Sequence, residues 1–246
     1  MEVRVLSCPL LKTMKVSVII RTKNEGEIFK KVLEVLRGQT FQDFEVVIVD
    51  DNSYDGTDLL VSEFFPAGRY RLIKIPLGEF SHPYSCNLGA ADSQGDYLVY
   101  INGHSIPVSA SWLADGLKNF KDKRIAGVFA YTLARLDANN IECILYNSYT
   151  KFFHSKRKEY FSARMGLLGT TNAIIRKDLW TQYRFDESYK MGGEDRDWGA
   201  YWTKRGYSVV QDPAFRTFHS HNLSITGLVR QYFKWLLKHK SHKHIQ

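Results

Sequence analysis

Acidic residues are missing from the end of this chain. After Asp212 there is no aspartate or glutamate, while Arg216, Arg230, Lys234, Lys238, Lys240 and Lys243 remain. Cysteine is scarce as well: Cys8, Cys86 and Cys143 are three in number and widely spaced. That excludes a disulfide framework and a four-cysteine zinc site, and it fits a reducing cytoplasm. No apolar run approaches the roughly eighteen residues a membrane-spanning helix needs. The start of the chain lacks the basic-then-apolar order of a signal peptide. No internal repeat, low-complexity linker or recognised nucleic-acid-binding motif is present, so nucleic acid is not expected as a partner.

What remains is an ordinary globular composition, 44% hydrophobic and 24% charged over 246 residues, with a net charge of +8. Residues 1–13 read as an extension ahead of the first strand. Lys15–Ile20 reads as a buried strand. Glu27–Leu36 follows with apolar residues at helical spacing. Phe44–Val49 is the next strand, and Gly56-Thr57 opens a helix. Tyr70–Ile75 and Tyr97–Ile101 read as strands around a helix near Tyr84–Ala91. This alternation predicts an α/β fold with a mostly parallel central sheet flanked by helices. Farther along, Ile125–Thr132 and Asn172–Arg176 read as strands and Glu194–Arg205 as a helix. Leu228–Lys240 reads as a basic amphipathic helix, suited to an anionic membrane surface or to packing on the domain. Lys151–Arg164 combines five bases with aromatics and reads as a contact for an anionic acceptor or as a solvated loop.

Open parallel sheets bind ligands at the carboxyl ends of their strands. Arg21-Thr22-Lys23-Asn24-Glu25 follows the first strand. Asp50-Asp51-Asn52-Ser53 follows the second, and Asn102-Gly103-His104-Ser105 follows the strand at 97–101. Asp50 ends an apolar strand, where a carboxylate needs a partner. It is suited to the N–H groups of a nucleotide base or to ribose hydroxyls. Asp51 and Ser53 serve equally well as turn and helix-cap residues.

The first two of these strings, with Asn87-Leu88-Gly89-Ala90-Ala91, Gly95-Asp96-Tyr97 and Gly193-Glu194-Asp195-Arg196-Asp197-Trp198, resemble glycosyltransferase family 2 in order and spacing from about residue 15 to residue 221. The resemblance implies a GT-A fold over 14–222, with 223–246 as a basic tail. It implies inverting transfer of a sugar from a nucleotide-diphosphate donor to a glycan or lipid-linked acceptor, in surface polysaccharide synthesis. It places the nucleotide sugar on Arg21, Thr22, Asn24, Glu25, Asp50, Asp51, Ser53, Asn87, Asn102 and Gly103. It makes Asp195 the base that takes the acceptor's proton, supported by Glu194.

One station departs from the family. Asn102-Gly103-His104 stands where an Asp-x-Asp metal motif is expected. The implied divalent ion, Mn2+ or Mg2+, then falls to His104 with His219 or His221 of the string Phe218-His219-Ser220-His221, and imidazole suits Mn2+ better than Mg2+. Two consequences follow. The leading expectation is an enzyme at the inner face of the membrane. The other is a catalytically altered protein that only binds nucleotide sugars. The adjacent glycines Gly192 and Gly193 point to close backbone approach or a loop ahead of the acidic helix. Trp198 and Trp202, at helical spacing, belong to core packing.

Overall fold

The computed structural model describes residues 15–161, 168–190 and 192–224, together with 226, 227, 229, 230 and 233. The expected extension at 1–13, most of Leu228–Lys240 and part of Lys151–Arg164 lie outside the described residues.

The first half alternates as its periodicity predicts. β1 (Val16–Thr22) leads to α1 (Gly26–Arg37), then β2 (Phe44–Asp50), the single-turn α2 (Val61–Phe64) and β3 (Tyr70–Lys74). α3 (His82–Asp92) and β4 (Tyr97–Asn102) follow. α1 buries Phe29, Val32, Leu33 and Leu36, at i, i+3, i+4 and i+7. Each such side chain contributes about 1.5–3 kcal/mol on burial. α3 starts at Ser81, whose hydroxyl accepts the Tyr84 N–H, with Pro83 in the first turn. The helix expected from Gly56 is instead a 3₁₀ turn, Thr57–Leu59, ahead of α2. Thr57 is held there by the chain after β1: its Oγ1 accepts the N–H groups of Glu25 and Gly26.

The second half contains the two-residue β5 (Ile106–Pro107), α4 (Trp112–Leu117) and β6 (Ile125–Phe129). α5 (Asn140–Glu142) and α6 (Ser148–Phe153) flank a π-helical turn, Cys143–Asn147. Next come β7 (Lys158–Tyr160), β8 (Asn172–Arg176), α7 (Lys177–Gln182), α8 (Glu194–Thr203), β9 (Ser208–Gln211) and β10 (Thr217–Phe218). The sheet order is β3-β2-β1-β4-β8-β6-β9-β7. β3, β2, β1 and β4 run parallel, as do β6 and β9, while β8 is antiparallel to both β4 and β6.

The expected strand Ile125–Thr132 stops at Phe129. Part of Lys151–Arg164, read as a possible solvated loop, is the edge strand β7, which pairs antiparallel with β9. Four-residue β9 is buried throughout and shows no alternation, so nothing in its pattern announced it. The sheet separates two apolar layers. α1, α2 and α4 pack on the face of Val18, Ile20, Val46 and Ile48. α3, α7 and α8 pack on the face of Ile19, Val47, Val49 and Tyr100, with Trp198 and Trp202 inside that layer.

Candidate active site

Strand register sets the frame. Thr22 of β1 pairs with Asp50 of β2, and Arg21 pairs with Asn102 of β4, so three strands end flush at the carboxyl edge. β8 enters at the same edge, with Ile101 opposite Asn172.

The loops after β1 and β2 are laced together. Asp50 is fully buried and accepts the Ser53 hydroxyl at 2.5 Å and the Ser53 N–H at 3.0 Å. Ser53 Oγ in turn accepts the Asn24 N–H, and Asn24 Oδ1 accepts the Tyr54 N–H. Asn24 and Asn52 hold positive φ angles of 52° and 56°, which asparagine tolerates better than most residues. Asp51 pairs with the half-exposed Lys23 at 2.7 Å. Asp51 and Ser53 therefore shape the turn, and Ser53 supplies the partner that a carboxylate at the end of β2 requires.

Arg21 joins the next three stations. Its Nη2 donates to Asn102 Oδ1 at 2.7 Å and to the Thr170 carbonyl at 3.2 Å, and its Nη1 lies 3.2 Å from His82 Nδ1. The sequence places no base beside Cys86, but this guanidinium reaches the start of α3 from β1. Gly103 lets the chain pass closely: a Cβ there would come within 2.6 Å of Thr22 Oγ1 and 3.0 Å of Glu25 Cγ.

Asn87 sits differently from its expected nucleotide role. Its amide N donates to the Phe185 carbonyl and to Glu187, and its amide O accepts from Trp180 Nε1 and the Phe185 N–H. These four bonds complete its capacity. Asn87 pins α3 to the segment between α7 and α8, and any influence on a ligand passes through that packing.

Asp195 sits in the first turn of α8, behind Gly192 and Gly193 at φ angles of 122° and 109°. Its Oδ2 accepts the Thr170 N–H at 2.9 Å and the Thr170 hydroxyl at 3.3 Å, and its Oδ1 accepts the Arg196 N–H. Thr170 therefore links Asp195 to Arg21 and Asn102. Glu194 is buried beside it. Asp197 accepts hydroxyl hydrogens from Tyr183 and Tyr189 and is a packing residue.

The histidines converge. β10 pairs antiparallel with β5, Phe218 opposite Ile106, which folds the 219–221 segment back beside His104. The His219 N–H also donates to the Leu133 carbonyl. The ligand atoms of His104, His219 and His221 lie within 4.8 Å of one another. His104 Nδ1 is 2.7 Å from Glu25 Oε1. As a carboxylate only accepts, Nδ1 carries the hydrogen, and Nε2, on the other side of the ring, faces inward. That Nε2 is buried and has no hydrogen-bond partner among the described residues. His219 Nδ1 lies 3.1 Å from Ser105 Oγ, and its Nε2 lies 3.0 Å from that of His221. Burial holds the His219 imidazole well below its ordinary value, with His104 and His221 adding to the effect, so it stands neutral at physiological pH. Imidazoles with outward nitrogens held by Glu25 and Ser105 form a donor set that fits a divalent transition-metal ion. The sequence reading missed Glu25 as the partner of His104. Their separation of 79 positions in sequence hid the contact.

The sequence profile described as Glycosyl transferase family 2 matches residues 17–183. The chain belongs to that family. The match takes in the stations at Arg21, Asp50, Asn102 and His104, and ends before Asp195 and the later histidines. Among family-2 relatives, the O-antigen chain rhamnosyltransferase RfbN of Salmonella typhimurium is 24% identical over 225 residues, covering 89% of this chain and 71% of the relative. Glycosyltransferase AglE of Haloferax volcanii is 29% identical over 203 residues, covering 79% and 63%. A mannosyltransferase from Pyrobaculum calidifontis, solved with GDP-Man and Mn2+, superposes with a TM-score of 0.66 at 19% identity, covering 93% of this chain and 61% of that one. Staphylococcus aureus TarS 1–349 with UDP-GlcNAc superposes at 0.63 and 19%, covering 87% and 61%. The structural likeness establishes the GT-A fold, and membership of family 2 makes this chain a glycosyltransferase. It spans about three fifths of both solved chains.

Proposed function

We propose that this glycosyltransferase moves a sugar from a nucleoside-diphosphate donor, with inversion at the anomeric carbon, to a glycan or lipid-linked acceptor in surface-polysaccharide synthesis. The observation that carries the site assignment is the inward Nε2 of His104, at the carboxyl edge of β4 and facing His219 and His221. The name of the O-antigen relative supports the biosynthetic setting.

In this reading the base and ribose of the donor lie against the laced loops, with Asp50 and Thr22 beneath them. The diphosphate lies between Arg21 and the histidines. His104, His219 and His221 would hold a divalent ion, and three imidazoles would favour Mn2+ over Mg2+. When bound, the ion supplies positive charge for the leaving diphosphate. Asp195, oriented by Thr170 and Arg196, takes the proton of the acceptor hydroxyl. The hydroxyl oxygen forms its bond to the anomeric carbon as the bond to the diphosphate breaks. Glu25 acts on His104 rather than on the nucleotide, by keeping the imidazole in the tautomer whose Nε2 faces inward. An anionic membrane surface at the inner face of the membrane is the partner this setting requires.

Thermal unfolding with a panel of nucleotide sugars, each with and without Mn2+, tests the reading, because a ligand bound only by the folded state raises the melting temperature. A donor that stabilises the chain only with Mn2+ supports it. No stabilisation by any donor overturns it. Asn102, in place of the family's aspartate, with its Oδ1 taken by Arg21, favours one other reading, a chain that binds nucleotide sugar without transferring it. Donor binding with neither hydrolysis nor transfer under Mn2+ would select that reading.

A further inference from the structure

The helical segment 140–153 is inside out. Glu142 and Thr150, eight residues apart, are buried, and His154, four residues farther on, closes the stripe. All three are hydrogen-bonded: Glu142 Oε1 accepts the Leu223 N–H, Thr150 donates to the Thr132 carbonyl, and His154 meets Gln211. The outward face is mostly apolar, interrupted by the exposed Asn147, Ser148 and Lys151. Ile144, Leu145, Tyr149, Phe152 and Phe153 range from 50% exposure at Tyr149 to 75% at Phe152. The hydrophobic effect orients an isolated amphipathic helix the other way, and contiguous exposed apolar surface marks a binding face.

Within the segment itself the charge has one sign. From Cys143 to Lys158 the sequence has no acid and carries Lys151, Lys156, Arg157 and Lys158. Lys151 and Lys156 are exposed. Aromatic side chains bordered by bases suit the interface of an anionic bilayer, where rings enter the headgroup layer and ammonium groups meet lipid phosphate. The chain just ahead of the segment is also bound to the stretch after β10 that carries the histidines. Asn139 donates to the Leu223 carbonyl and to Asn222 Oδ1, and the Arg135 N–H donates to Ser220 Oγ.

We propose that the outward face of 144–153 docks on an anionic phospholipid bilayer and sets the His104–His219–His221 edge beside it, where a lipid-linked acceptor is presented. The purpose of the docking rests on the glycosyl-transfer reading, and the docking itself does not. This places the membrane contact on α6 and the π-helical turn before it.

Cosedimentation of the full chain with phosphatidylcholine vesicles, with and without phosphatidylglycerol, tests the proposal. Wild type should bind the anionic vesicles and not the neutral ones. With about fivefold in affinity per basic residue near the surface, Lys151→Gln/Lys156→Gln should weaken binding about thirtyfold. Phe152→Ser/Phe153→Ser should weaken it comparably while leaving the melting temperature unchanged. Lys234→Gln/Lys238→Gln, in the tail, should change it much less. Four results overturn the proposal. They are no binding to anionic vesicles, loss of binding only in the tail variant, a melting temperature lowered by the phenylalanine changes (the face is then covered by this chain itself), and a dimer that those changes dissociate. Nucleotide-sugar stabilisation is read without vesicles. A chain that binds nucleotide but no vesicle defeats this inference alone, and the reverse defeats the functional reading alone.

Discussion

Arg21 Nη2 lies 2.7 Å from Oδ1 of Asn102, so the amide at the end of β4 is held as an acceptor for a buried guanidinium. The same nitrogen reaches the Thr170 carbonyl, and Thr170 holds Asp195. One cation therefore joins the ends of β1 and β4 to the catalytic candidate on α8. Lysine keeps the charge but not the fork. Arg21→Lys should lower stability by about 1.5–3 kcal/mol for each charged hydrogen bond lost, read as a fall in urea midpoint. Donor binding, measured by calorimetry, should weaken in parallel.

Asp195→Asn should reduce transfer by about 10²–10⁴-fold, the usual contribution of a positioned base, while nucleotide-sugar stabilisation persists. Asp197→Asn supplies the contrast. It disturbs the bonds from Tyr183 and Tyr189, so it should lower the melting temperature and spare the turnover of the folded fraction. Turnover retained in Asp195→Asn would remove Asp195 from the mechanism.

The histidine cluster predicts a graded metal response. His104→Ala and His219→Ala should each abolish a Mn2+-induced rise in melting temperature. Glu25→Gln, which weakens the hold on Nδ1 without removing a ligand, should lower Mn2+ affinity about 10–100-fold. An unchanged affinity in Glu25→Gln would return Glu25 to a direct contact with the nucleotide.

Asn87→Leu should cost roughly 2–5 kcal/mol, since it breaks three buried bonds and a half-buried one and leaves Trp180 and Phe185 short of partners. Donor affinity of the surviving folded protein should stay near that of wild type. A change in affinity at constant stability would place Asn87 against the ligand after all.

Burial holds His154 below its ordinary value of 6.5, opposed by its bond to Gln211. The unfolded chain then takes up the proton at higher pH than the folded chain. The stability present above pH ~6.5 is lost as pH falls through the lower folded value. Urea midpoints at about pH 7.5 and about pH 5 should therefore differ less in His154→Gln than in wild type. An equal difference in both proteins would show that His154 has no part in the acid sensitivity.

The order of the first-half elements was legible in the sequence because each carries its own period. Phe29, Val32, Leu33 and Leu36 specify α1 by spacing, and the apolar run ending at Asp50 specifies β2 together with the edge at which a ligand site must lie. Asp195 was legible as a motif at a helix start, and Trp198 and Trp202 as core by their spacing. Local pattern could not show how a group meets a partner far along the chain. Ser53 partnering Asp50 is a short-range matter that the motif already hinted at. The tautomer of His104 depends on Glu25, the convergence of His219 and His221 depends on the β5–β10 pairing, and Asn87 is closed off by residues near 185. The apolar outward face of 144–153 likewise has no signature in composition, because the sequence states which residues are apolar and only packing decides which side of the helix the fold covers.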